Sequence, residues 1–233
     1  MSGDIAKFNA AQAALDYVKD GMVVGLGTGS TSAHFVRQLG ERVRQGLRVK
    51  GVPTSEATRN LAEQVGVPLL EISQITSLDL DVDGADEVDP AFRLIKGGGG
   101  ALLREKIVAA ASKQMVVIAD ESKWVETLGD FPLPVEVTRF GFALTQHRVT
   151  EALRASGCAG DEVVLRITGK SNEPVITDGG NYILDAHAKR IPDPEKLGAA
   201  LKDIAGVVEH GLFIGLSQVV IIGKAKGAEV KTL

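Results

Sequence analysis

The sequence predicts an α/β fold with a smaller α+β unit set into it, on three observations. The first half of the chain alternates helix-spaced and strand-like segments. After "GDFPLPVEV" that rhythm changes to strand–helix–strand–strand–helix–strand. The chain then closes on "SQVVIIG" (217–223), an apolar strand that can rejoin the first sheet. Repeated strand–helix–strand order implies parallel strands covered by helices. The second order is the split pattern of ferredoxin-like modules.

Each element has its own signal. Over residues 4–19, Ile5, Phe8, Ala11, Leu15 and Val18 recur at helical spacing. "MVVGLG" (22–27) is an apolar run ending in glycine, as a buried parallel strand would be. Ser30 or Thr31 can cap the next helix, whose inner face is Phe35, Val36 and Leu39. "LRVKGV" (47–52) reads as a strand, "SEATRNLAEQVG" (55–66) as a capped helix, and "LDLDV" (78–82) as a strand of period two. A helix at 101–112 and the strand "QMVVIAD" (114–120) follow. Beyond them come strands at 133–138, 162–167, 181–186 and 206–210, with helices at 143–156 and 194–204. The fold class expected is thus α/β: a Rossmann-like parallel-sheet domain (1–130 and 206–233) with an inserted smaller α+β, ferredoxin-like domain (131–205). Neither an internal repeat nor a coiled-coil heptad interrupts it.

Composition narrows the function. The 233 residues are 44% hydrophobic, enough for a real core. A net charge of −4 removes the electrostatic case for nucleic acid. One cysteine, Cys158, precludes an internal disulfide and fits a reducing compartment. The opening "MSGDIAKFNAAQ" has neither a basic start nor an apolar run, so no secretory signal is expected. The longest apolar stretches are far too short to span a bilayer. A cytoplasmic protein is expected.

"GLGTGSTS" (25–32) is a glycine-rich turn from strand to helix, where freed N–H groups and a helix N-terminus can cradle a phosphate. The hydroxyls of Thr28, Ser30 and Thr31 add donors. A dinucleotide would need G-x-G-x-x-G and an acidic residue after the next strand; this chain has G-x-G-x-G and "GVPTSEA". No phosphate-loop motif for a nucleoside triphosphate is present. A small phosphorylated metabolite fits better.

"LDLDVDGADEVD" (78–89) mimics a calcium loop until the position of the bidentate glutamate, where Pro90 stands. Read as a strand, it leaves Asp83 and Asp86 past its C-terminal end, the edge where ligands bind in open α/β sheets. Asp79, Asp81 and Asp89 are expected in a solvated acidic loop. In "KGGGGALLREK" (96–106), four glycines expose N–H groups between Lys96 and a helix that carries Glu105 about one turn in. A carboxylate, a cation and backbone donors are the parts needed to remove a carbon-bound proton and steady the oxyanion. On residue type alone Arg104, Glu105 and Lys106 would belong to a wet helix face. The scattered histidines His34, His147, His187 and His210 suggest no zinc site, and Cys158 and Trp124 carry no motif.

Together "GLGTGSTS", "DGADEVD", "KGGGGALLREK" and "ADESKWVETLGDFPLPVEV" resemble ribose-5-phosphate isomerase, type A, along nearly the whole chain. The resemblance implies interconversion of D-ribose 5-phosphate and D-ribulose 5-phosphate through an enediolate, in the non-oxidative pentose phosphate branch. It implies no metal or organic cofactor and a homodimer or dimer of dimers, while the charge and the short apolar runs leave no nucleic-acid or membrane partner expected. It makes Glu105 the base and Asp83, Asp86 and Lys96 its catalytic companions. Substrate contacts fall on Thr28, Gly29, Ser30, Thr31, Asp83, Gly84, Ala85, Asp86, Lys96, Gly97, Gly98 and Gly99, with Lys7 and Lys123 beside them. The glycine run reads GGGGA where GGGAA is common in the family. A sugar-phosphate sensor, or a coenzyme A transferase with a glutamate nucleophile, would share parts of this pattern. The sensor would lack the base, whereas the transferase would form a covalent thioester.

Overall fold

The computed structural model describes residues 2–169 and 172–233, which divide into two compact units. The first takes the chain up to Ala85, Arg104–Trp124 and Gly215–Leu233; the second takes Asp86–Leu103 and Val125–Ile214.

The first unit is built on a six-stranded sheet. Its strands are β1 (Val23–Leu26), β2 (Lys50–Pro53), β3 (Leu80–Gly84), β6 (Met115–Asp120), β12 (Val219–Lys224) and β13 (Gly227–Thr232), in the order β13-β12-β6-β3-β1-β2. All neighbours are parallel except the β12–β13 pair. The strand order reverses between β1 and β3, because β2 lies outside β1 while β6 and β12 continue beyond β3. That reversal opens a crevice at the carboxyl ends of β1 and β3. The expected return of 217–223 to this sheet is what β12 does. The sequence reading did not anticipate β13, whose residues are mostly exposed, as an edge strand's can be.

Helices α1 (Ser2–Ala14), α2 (Ser30–Arg44) and α3 (Glu56–Val65) accompany this sheet. Ala10, Ala11 and Ala14 of α1 and Phe35, Val36 and Leu39 of α2 join Val24, Leu26, Leu80, Val82, Val116, Ile118 and Ile221 in one buried cluster. Burying a side chain such as Phe35 or Leu39 contributes roughly 1.5–3 kcal/mol each. α1 ends earlier than the periodicity suggested, in a 3-10 turn at Leu15–Tyr17. Ser55 caps α3 as expected, accepting from the Thr58 N–H. For α2 the N-cap is Gly29, at φ 111°, and no side chain caps it, so Ser30 and Thr31 lie inside the helix.

The second unit carries β7 (Leu133–Val137), α5 (Phe142–Ala155), β8 (Glu162–Leu165), β9 (Tyr182–His187), α6 (Pro194–Lys202) and β10 (Val207–His210). Its antiparallel sheet runs β10-β7-β9-β8, which is the ferredoxin-like order for that succession of strands and helices. Val135, Val137, Val149, Leu153, Leu184, Leu197 and Leu201 form its core. A further sheet of three very short strands, β4 (Glu87–Val88), β5 (Leu94–Ile95) and β11 (Leu212–Phe213), is ordered β11-β5-β4. Two-residue strands give no periodicity to read. The second unit thus takes in residues 86–103, 125–130 and 206–214, all expected in the larger domain: β4 and β5 lie in the first stretch, and β10 and β11 in the last.

The acidic stretch 78–89 differs from expectation. Asp81 and Asp89 are fully buried, not solvated. Asp81 lies mid-strand in β3, flanked by Gly25 of β1 and Met115 of β6. Asp89 closes a tight turn, accepting from the N–H groups of Ala91 and Arg93 at 3.0 Å each and from Arg93 Nε at 2.7 Å. Asp79 is half-buried and paired with Lys113 at 2.8 Å, an ammonium that holds its carboxyl below the ordinary range.

Candidate active site

In the first unit, the turn after β1 and the end of β3 meet at the crevice. The Thr28 N–H donates to Asp83 Oδ1 at 3.1 Å, and Ser32, buried on α2, donates its hydroxyl to the same oxygen at 3.2 Å. The Gly84 N–H also donates to Asp83 Oδ1, at 2.7 Å, and to Ser32 Oγ at 3.1 Å. Asp83 is completely buried and, with Gly84, belongs to β3 rather than to a loop past it. The close approach explains Gly27: a β-carbon there would lie 2.0 Å from Asp83 Oδ1 and 2.6 Å from its Cα.

The Thr28 side chain turns inward. Its hydroxyl lies 2.8 Å from Thr54 Oγ1, donates to Ser55 Oγ at 2.8 Å, and sits 3.2 Å from Thr58 Oγ1. Thr54 and Thr58 in turn donate to the carbonyls of Leu26 and Gly27 at 3.0 Å each. This knot of hydroxyls at the start of α3 fixes the backbone of the glycine-rich turn, and sequence reasoning did not single it out. Thr54, Ser55 and Thr58 lie some thirty residues from Thr28, so no local spacing could reveal the pairing.

Gly29 and Ser30 are exposed and Thr31 is half-buried, so this part of the turn faces water at the N-terminus of α2. Lys7 on α1 donates to Ser30 Oγ at 2.9 Å, which brings two of the expected substrate contacts together. Lys123 sits in a 3-10 turn (Glu121–Lys123) directly after β6. It therefore shares the carboxyl edge of the sheet with the turns after β1 and β3. Ala85 follows β3 and is half-buried.

Glu105 falls in the first turn of α4 (Leu102–Ala111), where the helix dipole favours a carboxylate. It is buried, whereas Arg104 beside it is partly exposed and pairs with Glu56 at 2.7 Å. The wet helix face suggested by residue type is thus true of Arg104 and not of Glu105.

In the second unit, Lys96 ends the short strand β5. It is buried, its N–H donates to the Gly211 carbonyl at 2.9 Å, and its Nζ stands 5.5 Å from the centre of the Phe213 ring. The glycine loop that follows is held at several points. Gly97 takes φ 102°, its carbonyl accepts from the Gly100 N–H at 2.9 Å, and Asp86 Oδ2 accepts from the Gly98 N–H at 2.7 Å. Gly98 and Gly99 are exposed. Near them, buried Glu87 accepts from the N–H groups of Gly129 at 2.7 Å and Phe131 at 2.6 Å, while desolvation pushes its carboxyl above the ordinary value of 4.5.

Among the described residues, no three histidine, cysteine or carboxylate side chains come together as metal ligands. Cys158 is half-buried in the second unit's core, and that burial raises its thiol pKa, unlike an activated nucleophile. Trp124 stacks under Lys231 Nζ at 4.8 Å.

The family model described as ribose 5-phosphate isomerase A (phosphoriboisomerase A) matches residues 50–227. The chain is 58% identical over 230 residues to ribose-5-phosphate isomerase A of Afipia carboxidovorans, covering 99% of this chain and 97% of that one. It is 56% identical over 224 residues to the protein of that name from Maricaulis maris, covering 96% of each. Among solved structures, a D-ribose-5-phosphate isomerase in complex with phospho-erythronic acid superposes with TM-score 0.92 at 38% identity over the whole of both chains. Ribose 5-phosphate isomerase A of Methanocaldococcus jannaschii gives 0.88 at 42% identity, covering 98% of each.

Proposed function

The chain belongs to the ribose 5-phosphate isomerase A family, aldose–ketose isomerases that interconvert ribose 5-phosphate and ribulose 5-phosphate, and we propose that it does so through an enediolate with Glu105 as general base. One observation carries the assignment of the base: a glutamate that residue type alone would leave in solvent is buried in the first turn of α4, directly after the glycine loop.

Asp83, fixed by three donors at the crevice, assists opening of the furanose ring, with Asp86 as the other carboxylate available for that step. Glu105 takes the proton from C2, and the electron pair of that bond passes into the C1–C2 bond while the aldehyde oxygen gains the charge. Lys96 and loop amides steady that oxyanion. The proton then returns to C1, the O2 proton moves to O1, and the ketose is left. The phosphate is gripped at Thr28–Thr31 and by Lys7 and Lys123, so binding energy remote from the reacting carbons orients them.

The phospho-erythronic acid bound by the related isomerase is a four-carbon acid phosphate, a shape that suits such a site. Action in the cytoplasm, within the pentose phosphate pathway, as a homodimer or dimer of dimers, goes with this reading. No helix among the described residues is long and apolar enough to cross a membrane. The test is a coupled assay of ribose 5-phosphate conversion, run with and without a chelator. Turnover in both is expected, and a protein that leaves ribose 5-phosphate unchanged would refute the proposal.

A further inference from the structure

We propose that Arg166, keyed by Asp185, is a positioning residue that locks the glycine loop after Lys96; the inference rests on the reading of that loop as part of the isomerase site. Arg166 follows β8 and its N–H donates to the Ile183 carbonyl of β9 at 2.8 Å. Its guanidinium grips the Asp185 carboxylate with both prongs, Nε to Oδ2 at 2.9 Å and Nη2 to Oδ1 at 2.5 Å. Both side chains are largely buried, at 16% and 18% exposed. A bidentate pair of this kind fixes the plane of the guanidinium.

The remaining nitrogen, Nη1, donates to the carbonyls of Gly97 at 2.9 Å and Gly98 at 3.1 Å. The Gly97 carbonyl and the Gly98 N–H belong to one peptide plane, and that N–H is bound by Asp86 Oδ2. This plane is therefore held at both ends and cannot turn. The next plane is held by its carbonyl, and because a trans peptide sets C=O and N–H opposite each other, the Gly99 N–H is directed away from the guanidinium. A run of four glycines has wide conformational choice, and the bond within it, from the Gly100 N–H to the Gly97 carbonyl, leaves the next peptide plane to be set by Arg166. Arg166 supplies that restraint from nearly seventy residues further along the chain. Lysine could not replace it, since a single ammonium cannot hold a carboxylate bidentately and two carbonyls at once.

The test measures kcat and KM for ribose 5-phosphate, with thermal unfolding, in R166K, D185N and R166A. If the loop is positioned by this pair, R166K folds like the wild type and loses on the order of 10²-fold in kcat, as misplaced reacting groups do. KM changes little, because the phosphate grip is untouched. D185N shows a smaller loss in kcat alone, and added guanidinium ion restores activity to R166A where the same concentration of urea does not. Folded R166K and D185N with wild-type kcat overturn the inference while leaving the isomerase reading intact. An unchanged response of R166A to guanidinium and urea overturns it too, and should R166K fail to fold, D185N and R166A decide. A wild-type protein without isomerase activity would overturn both.

Discussion

The backbone N–H of Thr28 donates to Oδ1 of Asp83 across the point where the parallel sheet reverses its strand order, at 3.1 Å. One bond thereby joins the glycine-rich turn to the acidic strand end. It is possible only because residue 27 has no side chain. Gly27→Ala would drive a methyl group to 2.0 Å from the Asp83 carboxylate and 2.6 Å from its Cα. The backbone contact leaves no flexible side chain to move aside, so the variant should lose about 1–3 kcal/mol of stability. Urea unfolding measures that loss, and an unshifted midpoint would mean the turn adapts.

Lys7 reaches the same turn through Ser30. If it grips the substrate phosphate, Lys7→Ala removes a charged hydrogen bond present in ground and transition states alike, and KM should rise roughly 10- to 100-fold. Steady-state kinetics should find kcat close to the wild-type value. A fall in kcat at constant KM would move Lys7 from substrate binding to the chemical step.

Gly98→Ala tests the other unit. Its β-carbon would stand 2.6 Å from Asp86 Oδ1 and 2.9 Å from Phe131 Cζ, so the Gly98–Asp86 bond must break. Loss of turnover on the order of 10²-fold is expected from a displaced loop. Initial-rate measurement at saturating ribose 5-phosphate reads it, and full activity would remove this bond from the mechanism.

Glu87 gives the fold a pH signature. Burial raises its folded carboxyl above 4.5, against the opposing pull of the Gly129 and Phe131 N–H groups. The folded protein then binds that proton more tightly than the unfolded chain. Its contribution to stability is complete below pH 4.5 and is lost as pH rises through the folded pKa. Glu87→Gln should abolish this part of the pH slope, while costing about 1–3 kcal/mol because its NH₂ cannot accept from both backbone donors. Urea midpoints followed from pH 4.5 upward compare the two proteins. Identical slopes would assign the pH dependence to other groups.

The larger outline of the fold was legible because long apolar runs such as "MVVGLG" and "QMVVIAD" are buried on both faces, and because α2 and α3 carry clear inner faces. β4, β5 and β11 were hard to see as a sheet, since two residues per strand leave no period, and their pairing is what draws residues 86–103 into the second unit. Asp81 and Asp89 were misread for a chemical reason. An aspartate is ordinarily solvated, and neither its place in a central strand nor a salt bridge to Arg93 is visible in composition. In the site, the motif residues stood out by local spacing. The Thr54–Ser55–Thr58 knot and Arg166 did not, because each acts on a segment that is close only after folding.

Isomerisation of ribose 5-phosphate in heavy water, with the wild-type enzyme and Glu105→Gln side by side, tests the base most directly. A carboxylate that takes the C2 proton and returns it at C1 exchanges it with solvent, so the wild-type product should carry deuterium at C1. The amide variant should fold normally and lose about 10²- to 10⁴-fold in kcat. Ketose formed without label, together with near-normal turnover in the variant, would contradict proton transfer by Glu105.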